Sequence, residues 1–222
     1  VTASPVPERR SFLSDLAEGW RAVRARRWLW ASLLGFGIGN LAWGAQGVLG
    51  PIVARDDLGG ASAWGAIATA GGIGGALGGI VALRWRPERP LVASHLIIVV
   101  LGVYLLLYTP PATTVVIAAG ALASVFTIVL ANTLWETVLQ SHVPQDVISR
   151  VSSYDWAVSL VFMPIGFAVW GPLSEWIGMN AAFTSAAAVA ILTRLLVIAV
   201  PDVRNLRRAD SQASLPAAEA PT

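Results

Sequence analysis

The sequence predicts an all-α membrane protein of six transmembrane helices, and three observations predict it. Of 222 residues, 55% are hydrophobic and only 13% charged, a balance too apolar for an ordinary soluble domain. Charge-poor apolar runs recur along the chain, each near or above the ~20 residues a helix needs to cross a ~30 Å hydrocarbon core. The fifteen basic residues, every one an arginine, gather beside these runs. Cysteine is absent, which excludes disulfides and thiolate metal sites.

Residues 1–27 form a cytoplasmic lead-in. Its first ten residues are polar and proline-containing, and they fit either a continuation from an upstream segment or an alternative start codon. From Ser11 to Arg27 the apolar residues Phe12, Leu13, Leu16, Trp20 and Val23 recur at helical spacing, with Arg21, Arg24, Arg26 and Arg27 as their charged complement. This pattern suits an amphipathic helix on an anionic leaflet, and a solvated helical linker would carry it too. It is not a signal peptide, because the next apolar run exceeds the ~7–15 residues of a signal core.

Residues 28–200 form the membrane bundle, with spans at about 28–54, 58–83, 91–109, 112–137, 151–174 and 179–200. Tyr108-Thr109-Pro110-Pro111 breaks the long run between the third and fourth spans. Gly71, Gly75 and Gly79 recur every fourth residue in the second span, as do Gly74 and Gly78, giving a flat face for another helix of this unit or of a second one. The fifth span loses backbone donors at Pro164 and Pro172 and is expected to bend. In the sixth, Arg194 lies close enough to the end to run its alkyl stem toward the headgroups, with a substrate-binding role as the alternative. His95, near the start of the third, reads as interfacial, with a proton relay as the alternative. Residues 201–222 turn polar and rich in Ala, Pro and Ser, a disordered cytoplasmic tail.

An even number of spans puts both termini on one side. Apart from Arg55 and Arg194, every arginine falls before the first span, in the 84–89 and 150 turns, or after the sixth, so the termini are expected to be cytoplasmic. Tryptophans follow the same layout, with Trp28, Trp30, Trp85, Trp135 and Trp156 at the inner boundary and Trp64, Trp170 and Trp176 at the outer one. A sequence pI near 9.7 invites a nucleic-acid reading, but the arginines flank apolar runs and no basic aromatic platform accompanies them. No nucleic-acid partner is expected.

Polar chemistry is concentrated between Leu134 and Asp155, where the fourth span ends and the fifth begins. Glu136 closes the fourth span, while Arg84, Arg86 and Arg150 lie in the two inner turns, a grouping that would let ion pairs close a cytoplasmic mouth. A surface network worth about 0–1 kcal/mol per exposed pair is the plainer alternative. Enzymes fare poorly. His95 and His142 are the only histidines, no Gly-x-Ser-x-Gly occurs, and no span is carboxylate-rich, so neither a hydrolase, a metal site nor a cofactor is expected.

Trp135-Glu136-Thr137, Leu139-Gln140, Val143-Pro144, Ser149 through Asp155, Met163 through Gly166 and Gly171-Pro172 together resemble the tenth and eleventh helices of bacterial major facilitator transporters. The likeness is to the transmembrane secretion effector branch, which includes the enterobactin exporter, and covers about residues 11–208. It implies that the six spans are helices seven to twelve of a twelve-helix carrier, two three-helix inverted repeats in a bacterial inner membrane. It further implies that the first and fourth spans line a cavity holding Asn40, Trp43, Gln46, Thr127 and Asn132, and that Asp155 faces the other half. The family's usual loop after its second helix carries an aspartate and a second glycine; here Leu83-Arg84-Trp85-Arg86-Pro87-Glu88-Arg89 keeps only the arginines. The function so implied is efflux of a hydrophobic or amphipathic small molecule by alternating access, with the bilayer and an N-terminal half or second chain as partners. A non-transporting scaffold that docks through the glycine face is the alternative.

Overall fold

The computed structural model describes residues 12–209. Its helices are α1 (Phe12–Arg24), α2 (Arg27–Asp57), α3 (Ala61–Ala82), α4 (Pro90–Ile97), α5 (Val99–Leu106), α6 (Thr114–His142), α7 (Ile148–Ile177), α8 (Met179–Ala199) and α9 (Pro201–Asn205). Their boundaries follow local chemistry. Gly59 and Gly60, at φ +96° and +90°, turn the chain between α2 and α3. Pro90 and Pro201 open α4 and α9, where the missing N–H costs no intrahelical bond. Gly178, at φ +87°, alone joins α7 to α8, a backbone state that side chains disfavour.

Four helices, α3, α6, α7 and α8, are long and apolar enough to cross a membrane, where the sequence pattern predicts six spans. The first and third expected spans fall short for different reasons. With 31 residues, α2 is about 46 Å long, but Asn40, Gln46 and its many glycines dilute its apolarity. The third is split at Ile98 into α4 and α5, which together run only from Pro90 to Leu106.

Contacts pair α3 with α6, α2 with α7 and α8, and α5 with α8, while α1 lies along the start of α7. Two apolar clusters fill the bundle. One, at the arginine-rich end, holds Leu29, Phe36, Leu91, Trp135, Val138 and Val197; the other holds Ala42, Leu49, Tyr104, Phe183 and Ala187. Between them, at Gly39 and Asn40 on α2 and Arg194 on α8, the interior turns polar. Of the tryptophans, Trp28, Trp135 and Trp170 are interior, while Trp156 and Trp176 are exposed.

Glycine sets two of the close approaches. A Cβ on Gly74 would collide with the Leu122 carbonyl, and one on Gly78 would sit 2.5 Å from that of Phe126, so α3 and α6 meet backbone to backbone. Gly71 and Gly75 flank this seam beside Val125, whereas Gly79 has open space and takes no part in the α3–α6 contact. The register explains this: one further turn carries Gly79 off the seam. Across the bundle, a Cβ on Gly166 of α7 would lie 2.6 Å from the Leu41 carbonyl of α2, the same carbonyl that accepts a 2.7 Å bond from Trp170 Nε1.

The expected tail is ordered over its first residues. Val203 and Leu206 are buried in the cluster at the arginine-rich end, and the Arg208 N–H donates to Glu88 O at 2.9 Å. Residues 1–11 and 210–222 lie outside the described residues.

Candidate functional site

Two adjoining cavities share Phe36, Asn40 and Asn132. The first, about 310 Å³, is bounded by Trp135, Glu136, Asp155, Trp156 and Ser159 in addition. Here Trp135 Nε1 donates to Asp155 Oδ2 at 3.0 Å, and Asn40 Nδ2 donates to Ser159 Oγ at 3.1 Å, tying α2 and α6 to α7. Glu136 opens onto the same space, so two carboxyl groups share one cavity.

The second cavity, about 280 Å³, runs inward past Gly39, Trp43, Leu101 and Met163 to Arg194. Sequence reasoning placed Arg194 at the headgroups. Instead it is 3% exposed, and its Nη1 donates to His95 Nδ1 at 3.3 Å. Guanidinium groups only donate, so Nδ1 accepts and Nε2 carries the proton toward Ser32 Oγ, 3.2 Å away. His95 is therefore a fully buried, neutral link and not an interfacial residue. Phe36 completes the arrangement: it stacks on His95 at 5.0 Å and lies 5.0 Å below Arg194 Cζ, a cation–π contact worth about 0.5–2 kcal/mol. Among the described residues Arg194 Nε has no hydrogen-bond partner. A charge at this kind of depth costs on the order of 2.5–3.5 kcal/mol.

The room for the guanidinium comes from α2. A Cβ on Gly39 would collide with Arg194 Nη2, and one on Gly35 would press on Val197 and approach His95 and Arg194. The signal in the sequence was the pair Gly35 and Gly39, one helical turn apart, followed by a histidine and an arginine in apolar segments; nothing local joins the three.

Of the five residues expected to line a substrate cavity, Asn40, Trp43 and Asn132 lie together in the wall of the second cavity. Gln46 and Thr127 are turned into the packed interior, where Gln46 Nε2 donates to Tyr104 Oη at 3.3 Å and Thr127 Oγ1 to Ser124 O at 2.8 Å. Among the described residues no ion pair is seen between Glu136 and Arg84, Arg86 or Arg150. Arg150 Nη1 lies 3.3 Å from Glu18 Oε2 on α1, and Glu136 faces Asp155 instead of an arginine. The reason is helical phase: Asn132 and Glu136 share one face of α6, whereas Arg86 and Trp85 flank the face of Thr133, Thr137 and Ser141 in a separate cavity of about 350 Å³. Arg84 and Arg86 are exposed.

At the opposite end of the bundle Arg55 Nε donates to Asp56 Oδ1 at 2.7 Å. That bond holds the Asp56 carboxyl below its usual range and raises Arg55. Among the described residues no cluster of histidine and carboxylate groups suits a metal ion.

Comparison with known proteins places these features in context. The family model described as Major Facilitator Superfamily matches residues 2–156. The chain is similar to the multidrug efflux pump Tap of Mycobacterium tuberculosis (strain ATCC 25618 / H37Rv), at 25% identity over 144 residues, covering 64% of this chain and 34% of that protein. It matches the protein of the same name from Mycobacterium bovis (strain BCG / Pasteur 1173P2) equally. The pump of that name from Mycolicibacterium fortuitum is 23% identical over 136 residues, 61% of this chain and 33% of that protein. The chain thus spans about a third of the length of the curated relatives it matches. No solved structure matches.

Proposed function

The chain belongs to the major facilitator superfamily, a family of transporters and not of enzymes, and from that premise we propose that it forms the C-terminal half of a twelve-helix secondary carrier. Six spans, α2, α3, α4–α5, α6, α7 and α8, form two three-helix inverted repeats. The contact pattern supports this reading. Exchanging the first three spans with the last three turns the α2–α7 pair into α6–α3 and α2–α8 into α6–α4, and leaves α5–α8 unchanged, and these are the main pairings observed.

The carrier exports a hydrophobic or amphipathic small molecule by alternating access. The observation that carries this is the pair of joined cavities: in a bundle otherwise packed with apolar side chains, Asn40 and Asn132 link a carboxylate pair to an aromatic chamber beside Trp43. The relatives' name, multidrug efflux pump, agrees with that chemistry. Asp155, whose ring partner Trp135 belongs to α6, is the coupling carboxylate. The cytoplasmic Arg84, Arg86 and Arg150 act on closing the inner mouth in a state other than the one described, with Glu136 as their partner there.

Both termini lie in the cytoplasm of a bacterial cell, with the protein in its inner membrane. Contacts of Glu18 with Arg150, His142 with Arg207 O, and Arg208 with Arg86 O gather the basic segments at one end of the bundle, as the positive-inside rule requires. Partners are the bilayer and an N-terminal six-helix half, on the same chain or another. A scaffold role has one observation in its favour: Gly65, Gly72 and Gly79 leave an open strip along α3.

The test is export. The chain, expressed together with an N-terminal half in an efflux-deficient bacterium, should lower accumulation of at least one of two fluorescent amphipaths of opposite charge, ethidium and 8-anilinonaphthalene-1-sulfonate. Asp155→Asn should abolish the lowering while leaving protein levels intact. Equal accumulation of each dye with and without the chain, at confirmed membrane expression, would overturn the carrier and favour the scaffold.

A further inference from the structure

Arg194 brings a full positive charge to the wall of the inner cavity and finds little there to answer it. One N–H reaches a neutral histidine, one face of the guanidinium rests over Phe36, and among the described residues Nε has no hydrogen-bond partner. The carboxylates do not fill the gap. Glu136 and Asp155 line the neighbouring cavity, beyond Phe36, Asn40 and Asn132, and Asp155 already accepts from Trp135. The seat is nonetheless built. Gly39 stands where any Cβ would displace Nη2, Ser32 fixes the outer nitrogen of His95, and Phe36 holds the imidazole and the guanidinium.

We propose that this cavity receives an anionic group of an amphipathic cargo, a carboxylate or similar oxyanion docking on Arg194 while its apolar body lies against Trp43 and Leu101. The proposal rests on the carrier reading and narrows its substrate class. A planar oxyanion is the partner that a guanidinium fork matches with two parallel bonds, and Arg194 is the one cation in this cavity's lining. A neutral cargo would leave the charge unanswered, and a cationic one would be repelled from this cavity toward Glu136 and Asp155. The volume, about 280 Å³, is at the lower bound of the ~300–1,000 Å³ typical of small-molecule sites, so a compact aromatic acid fits better than a large one. The side-chain amides of Asn40 and Asn132 stand at the junction of the two cavities and supply donors to a second polar group on the same cargo.

The experiment uses the whole chain in nanodiscs of phosphatidylcholine, so that no anionic lipid competes, and two probes of equal shape, 2-naphthoate and 2-naphthamide, in equilibrium dialysis. Naphthoate should bind about tenfold or more tightly than the amide, and Arg194→Gln should bring the two together by weakening naphthoate alone. Arg194→Lys, which keeps the charge without the fork, should retain part of the preference. Equal binding of the two probes by the native chain, or an undiminished preference in a folded Arg194→Gln variant, would overturn the assignment. If Arg194→Gln fails to give a monodisperse protein, Gly39→Ala takes its place: it pushes on Nη2 and should erase most of the preference, and a preference as large as the native one overturns the proposal. Export is read separately. Equal binding of both probes alongside intact export of either fluorescent amphipath sinks the anion site and leaves the carrier standing; selective naphthoate binding without export of any probe does the opposite.

Discussion

Trp135 shows how much one side chain can hold. Its ring meets Phe36 edge to face at 5.1 Å and Trp28 at 6.2 Å, while its N–H reaches Asp155 on the next helix. Trp135→Phe keeps much of the aromatic packing and removes the donor. It should lower stability by about 0.5–1.5 kcal/mol, read as a lower midpoint in thermal unfolding in detergent. Asp155→Asn, which still offers an oxygen to the indole, should lower it less; a larger loss than in Trp135→Phe would mean the bond is not what orients Asp155. At this scale the sequence was readable in part. Asn40, Trp43 and Asn132 stand out as polar or amphipathic residues in apolar runs, and they do meet. Gln46 and Thr127 send the same signal but turn inward, because a helix's rotational phase is set by its neighbours. Arg194 was misplaced for a related reason: its distance from the helix end suggests escape to water, and only Gly39, on a helix far away in sequence, reveals an inward seat.

Glycine governs the scale of elements. Because Gly74 and Gly78 touch the backbone of α6, Gly78→Val should force the helices apart and cost about 1–3 kcal/mol or more, as overpacked cores do. Gly72→Val, a substitution into open space on the same helix, should change stability by about 0.5 kcal/mol or less. Fluorescence-detected gel filtration of the two variants separates these outcomes; equal behaviour would mean that the α3–α6 seam tolerates separation. The four-residue glycine spacing is visible in the sequence, but two interleaved rows satisfy it, and only the partner helix selects Gly74 and Gly78. The helices themselves follow closely from the apolar runs and from Pro110, Pro111, Gly59 and Gly60. Their ends were less legible, since α6 continues through the polar Glu136, Gln140 and His142 on contacts that no run length encodes.

For the whole molecule, the arginine-rich end is closed by segments from both extremes of the described chain. The loop 84–89 accepts from Arg208, and α1 reaches Arg150 through Glu18. Truncation after Val200 removes Val203 and Leu206 from the apolar cluster there and should destabilise the bundle, with faster trypsin cleavage in the 84–89 loop as the readout. Glu18→Ala should do far less, within about 1 kcal/mol, since the pair it breaks is partly solvated. Charge distribution and composition pointed to this end as a basic rim, but the ordering of α9 was hidden: a stretch rich in Asp, Arg and Asn gives no hint that two of its residues plug an apolar gap.

Gly178 has a mechanical meaning. A single residue couples α7 to α8, so there is no slack: any lever stroke that displaces the tip of one rod at this turn tows the other with it. The guanidinium on the second rod then travels in step with the carboxylate on the first. Spin labels at Ser174 and Asn180 should accordingly report one fixed separation with and without cargo, and a separation that changes would mean the two rods are not yoked.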